Sequence, residues 1–292
     1  MSGSDSDSEI DIDEGISQIN NLIVKNIFNY LKTGKFNNKT KEAYIAAYTI
    51  VYKLTESNEN EYSKKLYDFY NDNISNYMAE RCNFLKVKTE QDFIFNFIEE
   101  TNKCNILIHW MRKVFCYLDK FSNRNNKLPN LFTTGLKLYK QIFYKSLEDL
   151  IINAINEYFN QHRNGVNVDI KNIKDVITIM TYVDFKKPVL NKNSDGELFW
   201  TGEFSGKELD LWFDSFIIST NYYTNNKANK EINSLSGPEY ITRCLTYFNE
   251  EDERKNMFID RKYHSKIDKV NIKNLIDNNC KQLDQVSFII FE

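Results

Sequence analysis

The residue types that carry most enzyme chemistry are sparse in this chain of 292 residues, which has three histidines and five cysteines. None of the histidines shares a metal-ligand spacing with cysteine, aspartate or glutamate, and no Cys-x-x-Cys pair occurs. The sequence also lacks a glycine-rich phosphate loop and a Gly-x-Ser-x-Gly nucleophile turn. We therefore expect no catalytic, cofactor-binding or metal-binding residues, and a protein that is not an enzyme.

The chemistry that the sequence does offer is recognition by tyrosine. In the stretch "KEAYIAAYTIVYKL", residues 41–54, Tyr44, Tyr48 and Tyr52 recur every four residues, so a helix would align them on one stripe. A second, alanine-led apolar set lies on a neighbouring stripe of the same helix: Ala43, Ala47, Ile50, Val51 and Leu54. From spacing alone, the tyrosines either rim a helical core or form a surface that binds a partner. Protein interfaces are enriched in tyrosine.

Composition indicates the elements that must position these residues. Nine glycines and three prolines are few for this length, whereas strand-rich folds need frequent turn residues. The 3.6-residue period begins at Ile16, and ten or so helices with short polar connections follow. Gly34 has the position of a helix C-terminal glycine, and Pro238 that of a first helical residue. The sequence therefore predicts an all-α protein.

Trp110 and Tyr117 form a second aromatic group, and two helical segments meet near it. The pattern predicts one helix over about 90–100 and a separate one through "NILIHWMRKVFCYLDKF", which places Trp110 and Tyr117 seven residues apart on one stripe. Residues 186–206 differ from the rest, because "NSDG" precedes "ELFWTGEF". We expect a short β-hairpin or an ordered loop there.

Charge and hydropathy limit the partners and the location. The net charge of −3 gives no general attraction to nucleic acid or to an anionic membrane, so we expect neither as a partner. No run of about 18 apolar residues occurs, and the N-terminus is acidic where a signal peptide would be basic and then apolar. The expected location is the cytoplasm, the nucleus or both.

Six segments in series resemble one family. They are "AAYTIVYKL", "WMRKVFCYLDKF", "LPNLFTTGLKLYKQIF", "HRNGVNVDIKNIKDVI", "FDSFIISTNYYTNNK" and "PEYITRCLTYFNEEDERKNMFI". In order and spacing, from about residue 16 to 280, they resemble the N-terminal cullin-repeat region of the cullins, the scaffolds of cullin–RING ubiquitin ligases. The likeness is greatest to the cullin that binds BTB-domain adaptors directly.

The resemblance implies an elongated stack of cullin repeats of the five-helix-bundle type. The alternation of Ser, Asp and Glu at the N-terminus is too polar to fold and predicts a disordered acidic tail (1–15). The resemblance divides the rest into a first repeat (16–145), a second repeat (146–262) and the truncated start of a third (263–292). It also implies a scaffold that holds a substrate adaptor of BTB or Skp type for ubiquitin-dependent protein degradation. The adaptor would dock on the second and fifth helices of the first repeat, which carry Tyr44, Tyr48, Tyr52, Trp110 and Tyr117.

Some features leave alternatives open. The chain stops before the C-terminal half that grips the RING subunit in cullins, so it is either a fragment or a shortened homologue that competes with full cullins. Asn38 and Thr40 stand where relatives that bind BTB adaptors often have apolar residues. The competing class is a helical-repeat tethering or trafficking scaffold outside ubiquitin transfer.

Overall fold

Twelve α-helices and one β-hairpin make up the described part of the chain. The computed structural model describes residues 10–36, 39–56, 60–125, 129–185, 189–192, 194, 198–203, 205–281 and 283. Contacts within the chain group its residues into two compact units, Met1–Asp149 and Leu150–Glu292. The predicted all-α class is confirmed.

The elements follow in chain order. In the first unit they are α1 (Ile12–Ile19), α2 (Lys25–Thr33), α3 (Thr40–Glu56), α4 (Asn60–Lys86), α5 (Glu90–Val114), α6 (Cys116–Asn125) and α7 (Leu131–Leu138), then the first residues of α8 (Lys145–Arg163). In the second unit they are the rest of α8, α9 (Ile170–Val183), β1 (Val189–Lys192), β2 (Leu198–Thr201), α10 (Lys207–Ile232), α11 (Gly237–Phe258) and α12 (Arg261–Leu275). Short π-helical segments join α1 to α2 (Asn20–Val24) and α7 to α8 (Tyr139–Tyr144), and a 3₁₀ turn (Asp277–Asn279) follows α12.

The first helix begins at Ile12, ahead of the start that periodicity indicated. The Asp11 carboxylate accepts hydrogen bonds from the backbone N–H groups of Asp13 and Glu14, at 3.0 and 3.2 Å, and so caps this terminus. At the other end of this helical stretch, Gly34 has φ of 70° and donates its N–H to the Tyr30 carbonyl. Gly34 therefore ends α2 as the sequence predicted, and residues 1–9 of the predicted tail lie outside the described residues.

The alanine-led face of α3 packs inward, as predicted. Ala47, Val51 and Leu54 are buried within the first unit. A Cβ atom on Gly15 of α1 would lie 2.7 Å from the Cδ1 atom of Leu54, closer than packed atoms allow. A glycine at this position therefore lets α1 and α3 approach closely, and the packing fixes the rotation of α3 about its axis.

The helix before the second aromatic group is one element, and the predicted break near residue 100 is wrong. Thr101 lies buried inside α5, where its hydroxyl is 3.0 Å from the Tyr139 hydroxyl. This hydrogen bond removes the cost of burying a polar side chain in mid-helix. The break falls instead at buried Phe115, with φ of −96° and ψ of 16°, so Trp110 belongs to α5 and Tyr117 to α6.

The hairpin expected within 186–206 is present. β1 and β2 pair antiparallel, with Val189 opposite Thr201 and Lys192 opposite Leu198. Buried Asp184 accepts a hydrogen bond from the backbone N–H of Glu208, and so caps the start of α10. Residues 186–188, 193, 195–197 and 204 of this segment lie outside the described part.

The core of the second unit contains a buried ion cluster. The Arg163 guanidinium of α8 donates to both carboxylate oxygens of Glu251 on α11, at 3.0 and 3.2 Å, and to the Thr220 hydroxyl of α10, at 2.9 Å. Arg254 donates to the same carboxylate at 2.6 Å. The cluster joins three helices of this unit, and each charge in it has a partner, which buried charges require.

The start of α11 also follows the sequence. Ser236 and Glu239 form a capping box, and α11 begins at Gly237, so Pro238 is its second residue, one position later than predicted. The predicted repeat boundaries, 145/146 and 262/263, stay predictions, since the compact units are defined by contacts and not by repeats. The apolar terminal stretch "VSFIIFE" lies outside the described residues.

Candidate functional site

Three helices of the first unit bring the predicted recognition residues together. Tyr44, Tyr48 and Tyr52 lie on one face of α3, Trp110 is near the end of α5, and Tyr117 is in the first turn of α6. The inward packing of α3 turns its tyrosine stripe toward α5 and α6. We call the five side chains the aromatic surface.

The rings of the aromatic surface form a continuous chain of contacts. Tyr44 lies 6.2 Å from Tyr48 and 6.4 Å from Trp110, between ring centroids, the second pair being edge-to-face. Tyr117 lies 5.1 Å from Tyr48 and 4.7 Å from Tyr52. These separations are those of favourable aromatic pairs, so the rings hold one another in place.

The break at Phe115 matters for this arrangement. The spacing suggested that Trp110 and Tyr117 share one straight helix. They do not, because the chain turns between them. Trp110 reaches Tyr44 at one end of the stripe, and Tyr117 contacts Tyr48 and Tyr52 at the other. The same five residues therefore form one surface, by a route that periodicity alone did not show.

The surface is accessible and uncharged. Tyr52 is 40% exposed, and Tyr44, Tyr48, Trp110 and Tyr117 are half-buried. The Tyr44 hydroxyl donates to the Lys113 carbonyl at 3.3 Å, and partial burial raises the pKa of Tyr44. A hydrogen bond with Tyr117, together with burial, raises the pKa of Tyr48. The phenols of Tyr44 and Tyr48 therefore remain protonated near neutral pH, where they offer apolar area and neutral hydrogen-bonding groups.

A groove of about 550 Å³ opens at the Trp110 end of the surface, and we call it the Phe36 groove. Phe36, Tyr44, Trp110 and Cys116 line it, with Lys41 among its polar residues. Phe36 stacks on Tyr30 with ring centroids 4.1 Å apart and meets Trp110 edge-to-face at 5.3 Å. The aromatic contacts thus extend from α3 past the end of α2, into a concave site that could hold an apolar side chain of a partner.

Sequence reasoning missed two lysines of this site. Lys113 Nζ lies 4.9 Å from the Trp110 ring centroid, and Lys120 Nζ lies 4.5 Å from that of Tyr117. Both distances suit cation–π contacts. The sequence spacing could have indicated these contacts, because each lysine follows its aromatic residue by three positions, and residues three apart are neighbours on a helix. These lysines put positive charge beside the neutral rings.

No feature of the described residues provides a metal centre. Across those ranges, no three His, Cys, Asp or Glu side chains are grouped so that they could hold a metal ion. The histidines are in separate places: His109 lies edge-to-face with Trp110, His162 with Phe258, and His264 bonds the Ile259 carbonyl. A separate observation is that no described helix has the length and apolar content needed to cross a membrane.

The fold and the site together define a class: a helical protein with an accessible aromatic surface that is built from three helices. Comparison with known families makes the assignment more specific. The family model for the cullin alpha solenoid domain matches residues 16–290. The chain therefore belongs to the cullin family.

Individual relatives agree with this assignment at low identity. The chain is 24% identical over 216 residues to putative cullin-like protein 2 of Arabidopsis thaliana, a match that covers 73% of this chain and 53% of the relative. It is 23% identical over 176 residues to cullin-1 of Oryza sativa subsp. japonica (60% and 24% covered). It is 22% identical over 251 residues to cullin-1 of Dictyostelium discoideum (78% and 31% covered). The matches thus span between a quarter and about half of these relatives' lengths.

Proposed function

We propose that this chain is the adaptor-binding arm of a cullin-type ubiquitin-ligase scaffold, and that the aromatic surface docks the substrate adaptor. The observation that carries the proposal is the assembly of Tyr44, Tyr48, Tyr52, Trp110 and Tyr117 into one accessible surface. Aromatic residues are enriched at the centres of protein interfaces, where they combine large apolar area with a polar group. Membership of the cullin family supports the same role.

On this proposal the chain contributes binding and positioning and no catalytic group. A separate ubiquitin-conjugating enzyme, recruited by a RING subunit, carries the chemistry. The scaffold accelerates transfer by raising the effective concentration of substrate near that enzyme. We place this function in the cytoplasm, the nucleus or both, where the five free cysteines stay reduced.

The type of adaptor is the finer part of the proposal, which names BTB-type or Skp-type proteins. The Phe36 groove and the aromatic surface are contiguous through Tyr44 and Trp110, so one adaptor can engage both. The purified chain should be titrated with one adaptor of each type in a calorimeter. Saturable binding to either type supports the proposal, whereas binding to neither contradicts it.

The docking surface is tested with the variant Tyr48→Ala/Tyr117→Ala. Each truncation removes a ring from the centre of the surface, so each should cost about 1–3 kcal/mol of binding free energy. The matched control is Tyr222→Ala, since Tyr222 is 71% exposed on α10 in the other unit. Circular dichroism establishes that all variants are folded. An unchanged affinity in the double variant would place the docking surface elsewhere.

A further inference from the structure

The second unit exposes an apolar stripe along one side of α11. Ile241 is 47% exposed and Leu245 is 60% exposed, and half-buried Phe248 continues the stripe at the spacing of helix neighbours. Phe248 also packs against a buried cluster of this unit, which consists of Ala228, Tyr240, Cys244, Tyr247 and Leu275. The stripe therefore borders the core but stays open to solvent in the described part of the chain.

The neighbouring helix α12 carries a matching exposed side chain. The two helices are antiparallel, because the Tyr240 hydroxyl donates to the Leu275 carbonyl at 2.7 Å, while Lys255 forms an ion pair with Asp268. Ile272 lies between these two contacts along α12 and is 45% exposed. Its level along the helix pair is therefore that of the apolar stripe on α11.

Both sets of side chains lie on the side of this helix pair that faces away from α10. Tyr247 of α11 stacks on Tyr223 of α10, and Asn274 of α12 donates a hydrogen bond to α10 at 2.9 Å. Positions two apart on a helix differ by about 200°, so Leu245 and Ile272 point away from these contacts. Half-buried Ile276 follows Ile272 by one turn and packs against the same buried cluster as Phe248. We call Ile241, Leu245, Phe248, Ile272 and Ile276 the α11–α12 apolar face.

The described part of the chain ends beside this face. Leu283 is half-buried and packs against the same buried cluster as Phe248 and Ile276. Residues 284–292 follow, outside the described part, and their sequence DQVSFIIFE contains five apolar residues: Val286, Phe288, Ile289, Ile290 and Phe291. Because an extended chain advances about 3.3 Å per residue, these side chains are within reach of the face from Leu283.

We propose that residues 284–292 of the same chain cover the α11–α12 apolar face. The segment and the face are both apolar, so their contact removes apolar area from water on each of them. The tether at Leu283 gives the segment an effective concentration of about millimolar order, whereas a second copy must bind from dilute solution. The covered face is closed to self-association.

The test is oxidation of the full chain by hydroxyl radicals, followed residue by residue by mass spectrometry. Leu245 is compared with Leu211 of α10, which has the same intrinsic reactivity and is 46% exposed. The described contacts alone make Leu245 the more exposed of the two, and so the faster to oxidise. We expect the reverse order, with Leu245 severalfold slower, because the segment covers it. Faster oxidation of Leu245 than of Leu211 overturns the proposal without the need for any variant.

A variant identifies what covers the face. Replacement of the five apolar residues of 284–292 by serine should make Leu245 oxidise faster than Leu211, while Leu211 keeps its wild-type rate. Slow oxidation of Leu245 in this folded variant shows that another part of the molecule covers the face, and overturns the proposal. Slow oxidation in the wild type that is lost on dilution assigns the cover to a second copy, and overturns it too.

Thermal unfolding gives a second measurement. Leu245→Asp places a charge under the segment, so it should lower the Tm of the wild type more than that of the five-serine variant. Leu211→Asp is the matched control and should lower both Tm values by the same amount. Equal losses for Leu245→Asp in the two backgrounds overturn the contact between the segment and this face.

Discussion

At the scale of single residues, the side chains that we propose to bind the adaptor differ from those that stabilise the fold. The aromatic surface consists of half-exposed rings whose contacts are mostly with one another. The buried cluster of Arg163, Glu251 and Arg254 instead lies inside the second unit and faces no solvent. Substitutions in the two groups should therefore have different effects, the first on binding and the second on folding.

Removal of one member of the buried ion cluster should be strongly destabilising. Arg163→Met keeps apolar bulk but takes two hydrogen bonds from Glu251, which stays buried with Arg254 as its remaining cationic partner in the cluster. We expect a loss of about 3 kcal/mol or more in the free energy of unfolding, measured by urea denaturation. Arg243→Met, at an exposed pair 3.6 Å from Glu231, should cost less than about 0.5 kcal/mol. Equal losses would show that the buried cluster has no special role.

His162 should make stability depend on pH. Burial, and next the nearby positive charge of Arg254, lower the pKa of His162 from its ordinary value of 6.5, although Glu251 opposes this. The unfolded chain therefore takes up the proton first as pH falls, and stability decreases below pH 6.5 toward the folded-state pKa. Urea denaturation between pH 8 and 5 should show a smaller decrease for His162→Gln than for the wild type. Parallel curves for the two proteins would contradict this role.

At the scale of elements, close approach between helices decides which residues are tolerated. A Cβ atom on Gly135 of α7 would lie 2.8 Å from Ile108 Cγ2 in α5 and 3.0 Å from the Tyr70 hydroxyl in α4. That hydroxyl donates to the Leu131 carbonyl at 2.8 Å, so it is not free to move away. Gly135 thus lets three helices meet at one point of the first unit.

Gly135→Ala should destabilise the protein although alanine favours helix. The steric cost of overpacking, about 1–3 kcal/mol, should exceed the gain in helix propensity of about 1 kcal/mol. The measurement is thermal unfolding, with Thr133→Ala on the exposed side of α7 as the control. Ile108→Ala removes the Ile108 atoms that the new Cβ would contact. The double variant should therefore lose less stability than the sum of the losses in the two single variants. Strict additivity would mean that the close approach is not what constrains this position.

Sequence alone predicted the elements better than their junctions. The all-α class, the end of α2 at Gly34, the start of α11 to within one residue of Pro238, and the hairpin region follow from local patterns, which act within a few residues. Inside the continuous α5, Thr101 is hydrogen-bonded to Tyr139, and at the break the buried Phe115 ring lies against Tyr70 of α4. Both are contacts between elements distant in sequence, so no local pattern could show them.

The candidate site divides in the same way. The spacing of Tyr44, Tyr48 and Tyr52 was visible in the sequence, and resemblance to the cullins associated them with Trp110 and Tyr117. The ring contacts, the Phe36 groove and the lysines beside the rings required the fold. The ion pair between Arg163 and Glu251 joins residues 88 positions apart, which periodicity cannot connect.

At the scale of the whole molecule, protection against hydrogen exchange should be uneven. The long helices α4 and α5 carry many fully buried side chains, among them Tyr70 in α4 and Phe97 in α5. The two-stranded hairpin has four paired positions, and isolated hairpins of this kind are marginally stable. We expect the slowest amide exchange in α4 and α5 and the fastest, among hydrogen-bonded elements, in β1 and β2, by mass spectrometry. Equal protection would show that the hairpin is stabilised by contacts that its own pairing does not provide.

The separation of the two faces of α3 has an evolutionary consequence. Ala47, Val51 and Leu54 hold the helix in place, while Tyr44, Tyr48 and Tyr52 project from another side of it. If these tyrosines bind the adaptor as we propose, mutations at their positions change adaptor preference with little loss of folding, so the architecture is retained. The same separation makes positions 44, 48 and 52 suitable for a randomised library from which variants with new binding preferences can be selected.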